Sequence, residues 1–96
     1  NINIRANGKS CLFLACEKNR PNIVRFLLEQ ENIDYNIKTP RGITPLMIAS
    51  QEGRYEIVEI LLNLHNIDTK ALSVDGESAE SMAKNYQIRS LFNRYT

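Results

Sequence analysis

Few side chains in this chain have the chemistry for catalysis or metal binding, and they are widely spaced. His65 is the only histidine, and Cys11 and Cys16 are the only cysteines. A zinc site needs several Cys or His ligands at characteristic spacings, and a Ser-His-Asp or Cys-His set needs a nucleophile beside its histidine. The sequence has neither pattern, so it predicts no metal site, no cofactor and no enzymatic activity.

The cysteine spacing also argues against a disulfide. Cys11 and Cys16 form neither a C-x-x-C pair nor a disulfide framework. Five helical steps place the two thiols roughly 140° apart around one helix. We therefore expect both to be reduced, as is usual inside cells, and to pack as small, partly buried hydrophobic side chains. The expected location is intracellular, in the cytoplasm or the nucleus.

Composition and patterning argue against nucleic-acid binding, membrane insertion and phosphate binding. Lys and Arg total 12 against 11 Asp and Glu, which gives a net charge of +1, whereas nucleic-acid binders usually show a basic excess. No apolar run approaches the roughly 20 residues of a membrane helix. The isolated glycines do not form a phosphate-binding loop. We expect no nucleic-acid partner and no membrane insertion.

The 96-residue sequence contains an internal repeat with an offset of 34 positions. Residues 1–34 form unit one, 35–68 unit two and 69–96 a shortened unit three, all in one domain. In unit three, five positions separate Ala83 from Ile88, whereas eight separate Ala49 from Ile57. The identical pairs of units one and two are Gly8/Gly42, Leu12/Leu46, Ala15/Ala49, Arg20/Arg54, Ile23/Ile57, Val24/Val58, Leu27/Leu61, Leu28/Leu62, Asn32/Asn66, Ile33/Ile67 and Asp34/Asp68.

Each unit is predicted to contain a turn, a short helix, a loop and a longer helix. In unit two, Thr44 is an N-cap, Pro45 takes the first helical position, and Gly53 ends the short helix. The long helix spans about 55–63, after which Asn66 is expected to leave the helix in a left-handed conformation.

The other two units follow the same plan. Ser10 is predicted to cap a helix over 11–18, and Pro21 opens the next one. In unit three, Ser78 caps 79–85, and a last helix covers 88–95.

A helix pair of this size cannot bury its apolar stripe alone, so the units are expected to stack as a solenoid. Unit three is more polar, as an outer cap should be, since it carries Glu80, Ser81 and Lys84. Unit one retains Leu14 and Phe26, which suggests that further repeats precede Asn1 in a longer chain.

Residues 42–49, which read Gly-Ile-Thr-Pro-Leu-Met-Ile-Ala, resemble the ankyrin repeat. The resemblance continues through Gly53, 56–58 and 61–62, and it also covers 33–36. The resemblance implies an all-α solenoid of stacked helix-turn-helix units with turn or β-hairpin tips. The chain departs from the family pattern at Phe13, Met47 and Ser81, where a histidine is usual.

The resemblance also implies a binding surface, because ankyrin repeats usually engage partners through their turn tips and concave short-helix face. Among these positions, Lys9, Ile43 and Glu77 share one repeat offset but differ in chemistry, which favours recognition over packing. Ile43 has no packing stripe to join and is either a partner contact or an incidental exposed side chain. Carried over by position, the surface comprises Ala6, Asn7, Lys9, Glu17, Lys18, Pro40, Arg41, Ile43, Gln51, Glu52, Val74, Asp75, Glu77, Asn85 and Tyr86.

The expected function is protein–protein recognition, as a scaffold or a targeting module. Two alternatives stay open: a regulatory domain that blocks an enzyme, and an accessory segment of a larger enzyme or channel. Arg20 and Arg54 are interpreted as solvated charges. Asn36 either bonds within its own turn or, by resemblance to modified ankyrin segments, is a substrate for an asparaginyl hydroxylase.

Overall fold

A computed structural model describes residues 3–6 and 8–95 of the chain. Two short strands, which form an antiparallel pair, are followed by helices that alternate between short and long. The elements are β1 Arg5–Ala6, β2 Lys9–Ser10, α1 Cys11–Glu17, α2 Pro21–Leu28, α3 Pro45–Gln51, α4 Tyr55–Leu62, α5 Ala79–Met82 and α6 Tyr86–Tyr95.

The helices form two layers, each built from equivalent elements of the three units. The short helices α1, α3 and α5 lie side by side, and the long helices α2, α4 and α6 form the second layer. Neighbouring units therefore pack helix against equivalent helix, which is the arrangement of a solenoid. The predicted all-α stack is confirmed.

Local capping explains where the short helices begin. The hydroxyls of Ser10, Thr44 and Ser78 each accept the backbone N–H three residues later, at 3.1–3.2 Å. Pro21 and Pro45 occupy the first turns of α2 and α3, where a missing N–H leaves no bond unmade. Five of the six predicted helix starts are confirmed.

Unit three differs from its prediction at both of its helices. The short helix ends at Met82 rather than at 85, because Ala83 already has extended backbone angles (φ −56°, ψ 125°). The shortened loop requires this early exit. The last helix then begins at Tyr86, two residues before its predicted start, since the Asn85 side chain accepts the Ile88 N–H at 3.0 Å.

Left-handed backbone is used where helices meet loops. Gly53 follows α3 with φ 74°, and Asn19, at the same position of unit one, has φ 59°. Asn32 also has a positive φ, of 70°, but Asn66 is not among the described residues that do. The prediction for Asn66 is therefore wrong, and nothing in the structure explains why it differs from Asn32.

One continuous apolar core runs through all three units. Leu27, Leu61 and Phe92 belong to it, together with the alanines that repeat in the short helices. Each such large side chain contributes about 1.5–3 kcal/mol by leaving water. Because no unit has a core of its own, the units stabilise one another.

Asparagine side chains connect the first residues of a unit to its last ones. The Asn36 amide donates to the Asn66 carbonyl oxygen at 2.9 Å and accepts the Asp68 N–H at 2.9 Å. Asn3 makes the same pair of bonds to Asn32 and Asp34 within unit one, at 2.8 Å each. The Asn36 side chain therefore bonds to the far end of its own unit rather than within its own turn, where the Asp34 carboxylate accepts the Asn36 N–H instead.

Candidate functional site

We define the short-helix face as the outward side of α1, α3 and α5 together with the three turn tips. In unit one this face is a self-contained cluster. The Lys9 Nζ lies 3.5 Å from a Glu17 carboxylate oxygen and 5.6 Å from the centre of the Phe13 ring. An ion pair this exposed contributes less than about 1 kcal/mol, so both charges remain available to a partner.

Ile43, which occupies the same repeat position as Lys9, is not an isolated surface side chain. It is partly buried and packs against the core. Its backbone is held in a narrow hairpin, since the Ile43 carbonyl accepts the Thr39 N–H at 3.0 Å and its N–H donates to the Thr39 hydroxyl at 3.2 Å. This turn directs the side chain toward the stack, so the expectation that Ile43 has no packing partner is wrong.

The tips of units two and three are joined to each other. The Val74 N–H donates to the Arg41 carbonyl at 2.9 Å. Gly42 (φ 78°) allows this approach, because a Cβ there would lie 3.3 Å from the backbone of Ser73 and Val74. Pro40 and Arg41 are exposed on one tip, and Val74 is 69% exposed on the other.

The third tip is also apolar at a residue that sequence reasoning missed. Leu72 is 55% exposed, whereas the corresponding residue of unit two is Lys38. The sequence did contain a signal for this residue: it is apolar and lies in a turn, whereas the neighbouring copy has a charged residue at the same repeat position. The Ser73 hydroxyl fixes this tip by accepting the N–H groups of Asp75 and Glu77.

The tip of unit one is one residue shorter. Its strands pair Ala6 with Lys9, whereas in unit two the backbone hydrogen bond joins Thr39 to Ile43, which are one residue further apart. Ala6 is exposed, and the predicted site residue Asn7 lies outside the described residues.

The other predicted site residues are distributed around the ends of the short helices. Lys18 and Gln51 are exposed, and Glu52 is partly buried. Asn85 and Tyr86, both exposed, do not lie at the corresponding position of unit three, because the shortened loop places them at the start of α6. They flank the short-helix face rather than extend it.

Arg54 has a structural role that its interpretation as a solvated charge misses. Its guanidinium is partly buried and donates from Nη2 to the Glu17 carbonyl oxygen, at 2.8 Å, in the preceding unit. That carbonyl lies at the end of α1, where helix geometry leaves it without a partner in its own helix. Arg20, the equivalent residue of unit one, is exposed.

The residues whose side chains could react or bind a metal lie apart from one another. Cys16 is buried, and burial raises the pKa of its thiol to about 12, so it is unreactive near neutral pH. Cys11 is exposed, which contradicts the expectation of partial burial. His65 is exposed. The described residues contain no group of three potential metal ligands.

Comparisons with known proteins agree with this geometry. A family profile described as ankyrin repeats (3 copies) matches residues 1–72. The chain therefore belongs to the ankyrin repeat family, whose members are generally non-enzymatic modules for protein–protein interaction. No curated protein sequence matches the chain.

A solved structure shows the same fold. The ankyrin repeat domain of Bcl-3, a member of the IkappaB protein family, superposes with a TM-score of 0.89 at 22% sequence identity. The match covers 97% of this chain and 41% of that one, so the chain spans about two-fifths of its length. Within the part of this chain that the structure describes, no helix is long and apolar enough to cross a bilayer.

Proposed function

We propose that this chain is a scaffold or targeting module that binds a partner protein through its short-helix face and its turn tips. The observation that carries the proposal is a contrast between the three copies. Their buried positions repeat the same residue type, whereas their exposed tip positions carry different residues. The alanines that recur at one repeat offset, Ala15, Ala49 and Ala83, are all buried. The exposed tip residues differ from copy to copy, as expected if they serve specificity rather than stability.

The joined tips of units two and three are the proposed centre of this surface. Leu72 and Val74 are apolar and more than half exposed, and the charged Arg41 lies next to them. Apolar side chains beside an arginine are typical of the few residues that dominate binding energy. Because a hydrogen bond joins the two tips, a partner meets them as one preformed surface, which reduces the entropy lost on binding.

An intracellular location is part of the proposal. Cys11 is a free thiol on the surface, and free surface thiols are typical of reducing compartments. The scattered charges of the short-helix face also suit a protein partner better than a phosphate backbone, which requires a basic surface.

The test is affinity capture from a native lysate, followed by binding measurements with the captured protein. Val74→Glu and Arg41→Glu should each weaken binding by about tenfold or more, as expected for residues near the centre of an interface. Arg94→Glu, the same charge reversal in the long-helix layer, is the matched control and should bind normally. If Arg94→Glu abolishes binding while both tip variants bind normally, the wrong face has been assigned. A competition assay against the partner's own activity distinguishes a scaffold from an inhibitor.

A further inference from the structure

The joined tips of units two and three carry opposite charges. The second tip, residues 38–43, contains two cations and no anion, and we call it the basic tip. The third tip, residues 72–77, contains two anions and no cation, and we call it the acidic tip. All four charged residues are exposed: Lys38 and Arg41 on the basic tip, and Asp75 and Glu77 on the acidic tip. The two halves of this joined surface therefore present equal and opposite charge.

The folding of the tips does not account for this difference in charge. The Thr39 N–H donates to the Ile43 carbonyl oxygen at 3.0 Å, and the equivalent backbone bond of the acidic tip, donated by Ser73, is 2.9 Å long. Arg41 and Asp75 occupy the same position of this hairpin, 34 residues apart. Because one backbone conformation accommodates either sign of charge at that position, neither charge is required to form the turn.

The charges do not hold the two tips together either. The tips are joined by the bond from the Val74 N–H to the Arg41 carbonyl oxygen, at 2.9 Å, which involves backbone atoms alone. The two ion pairs found among the described residues lie elsewhere, one on unit one and one between α2 and α4. The opposite charges of the adjoining tips therefore remain available to another molecule.

A surface of this kind is complementary to itself. In a dimer with two-fold symmetry the same patch of both copies meets, so each positive group needs a negative group within that patch. A two-fold axis that passes between the tips places the basic tip of each copy against the acidic tip of the other. It also brings together the two Val74 side chains, each 69% exposed beside the junction. A different partner protein would require no such equality of charge.

We propose that the joined tips bind a second copy of this chain, with Arg41 of each copy facing Asp75 of the other. The proposal rests on the proposed function and deepens it, since it names one partner of the tips, with which any other partner protein competes. Two tips of six residues each are well below the roughly 20–30 residues a side of a stable interface. The dimer is therefore weak and requires a high protein concentration.

The test is sedimentation velocity of the purified chain at concentrations up to the millimolar range. The wild-type chain should dimerise reversibly, and added salt should weaken the dimer because it screens exposed charges. Arg41→Glu places a carboxylate opposite Asp75, and Asp75→Arg places a guanidinium opposite Arg41. Because each contact occurs twice in a two-fold dimer, either variant alone should weaken dimerisation by at least about tenfold.

Mixing the two variants tests the pairing itself. In a dimer of one Arg41→Glu chain with one Asp75→Arg chain, each new charge again faces its opposite. The mixture should therefore dimerise within about threefold of wild type. Arg94→Glu, the same charge reversal in the long-helix layer, is the matched control and should dimerise as wild type does. Circular dichroism verifies that each variant is folded.

Three results would overturn the proposal. The first is a wild-type chain that stays monomeric at millimolar concentration. The second is a mixture of the two variants that stays as monomeric as each variant alone. The third is a dimer that Arg94→Glu weakens as much as Arg41→Glu does, since the contact then lies on another face. Because only the purified chain is used, these results are independent of whether a lysate yields a different partner protein.

Discussion

Replacing Arg54 with alanine tests how neighbouring units are connected. The substitution removes the charged hydrogen bond from Nη2 to the Glu17 carbonyl, at 2.8 Å, and a positive charge from the C-terminal end of α1. Hydrogen bonds to charged groups contribute about 1.5–3 kcal/mol, and a cation at a helix C-terminus adds about 0.3–1 kcal/mol.

An opposing contribution reduces this sum. The Nε of Arg54 is buried and has no hydrogen-bond partner among the described residues, which costs on the order of 1 kcal/mol. Arg54→Ala should therefore lower the free energy of unfolding by about 1–3 kcal/mol. For a domain of this size, each kcal/mol shifts the melting temperature by about 4–8 °C.

The assay is urea denaturation followed by far-UV circular dichroism, with Arg20→Ala as the matched control. Arg20 has the same repeat position but is exposed, so its substitution should change the free energy of unfolding by less than about 0.5 kcal/mol. Equal effects of the two variants would refute the reasoning, because the difference between them depends only on the bond across the interface.

Three further outcomes are expected. Asn36→Ala should lower the free energy of unfolding in urea by about 1–3 kcal/mol, since it removes two hydrogen bonds, while Asn66→Ala, whose backbone alone takes part, should leave it within about 0.5 kcal/mol. Gly76→Ala should cost about 1 kcal/mol for its left-handed backbone, and Gly42→Ala should cost more in the same assay, because only there would a Cβ meet backbone atoms at 3.3 Å. Burial raises the pKa of the Cys16 thiol from 9.0 to about 12, so its contribution to stability is complete below pH 9 and decreases between pH 9 and 12. Across that range, denaturant titrations of Cys16→Ala should show a shallower loss of stability than wild type, by up to about 1.4 kcal/mol per pH unit.

The helix starts could be predicted because their causes are local. A hydroxyl at Ser10, Thr44 or Ser78 needs only the amide three residues later, so the sequence alone contains both partners. The burial of Leu27 and Leu61 in one core could also be predicted, since both recur at one offset and a single unit cannot bury either of them.

The errors have causes that the repeat pattern does not show. The bond from Arg54 joins it to a residue 37 positions away, and no local pattern shows that α1 ends beside it. The packing of Ile43 depends on the hairpin that turns its side chain inward. Asn85 and Tyr86 were misplaced because the shortened loop of unit three changes where its long helix begins, although the deletion itself was visible in the sequence.

Hydrogen bonds within and between units also determine which part of the binding surface is rigid. Asn36 fixes the tail of unit two, from which the third tip extends, and the Val74 N–H then joins that tip to Arg41. The first tip has no equivalent backbone hydrogen bond to the second among the described residues, although Gly8 lies close enough to the Pro40 ring that a Cβ there would be 2.9 Å from it. Because a preformed surface loses less entropy on binding than a mobile one, substitutions at the second and third tips should affect partner affinity more than matched substitutions at the first.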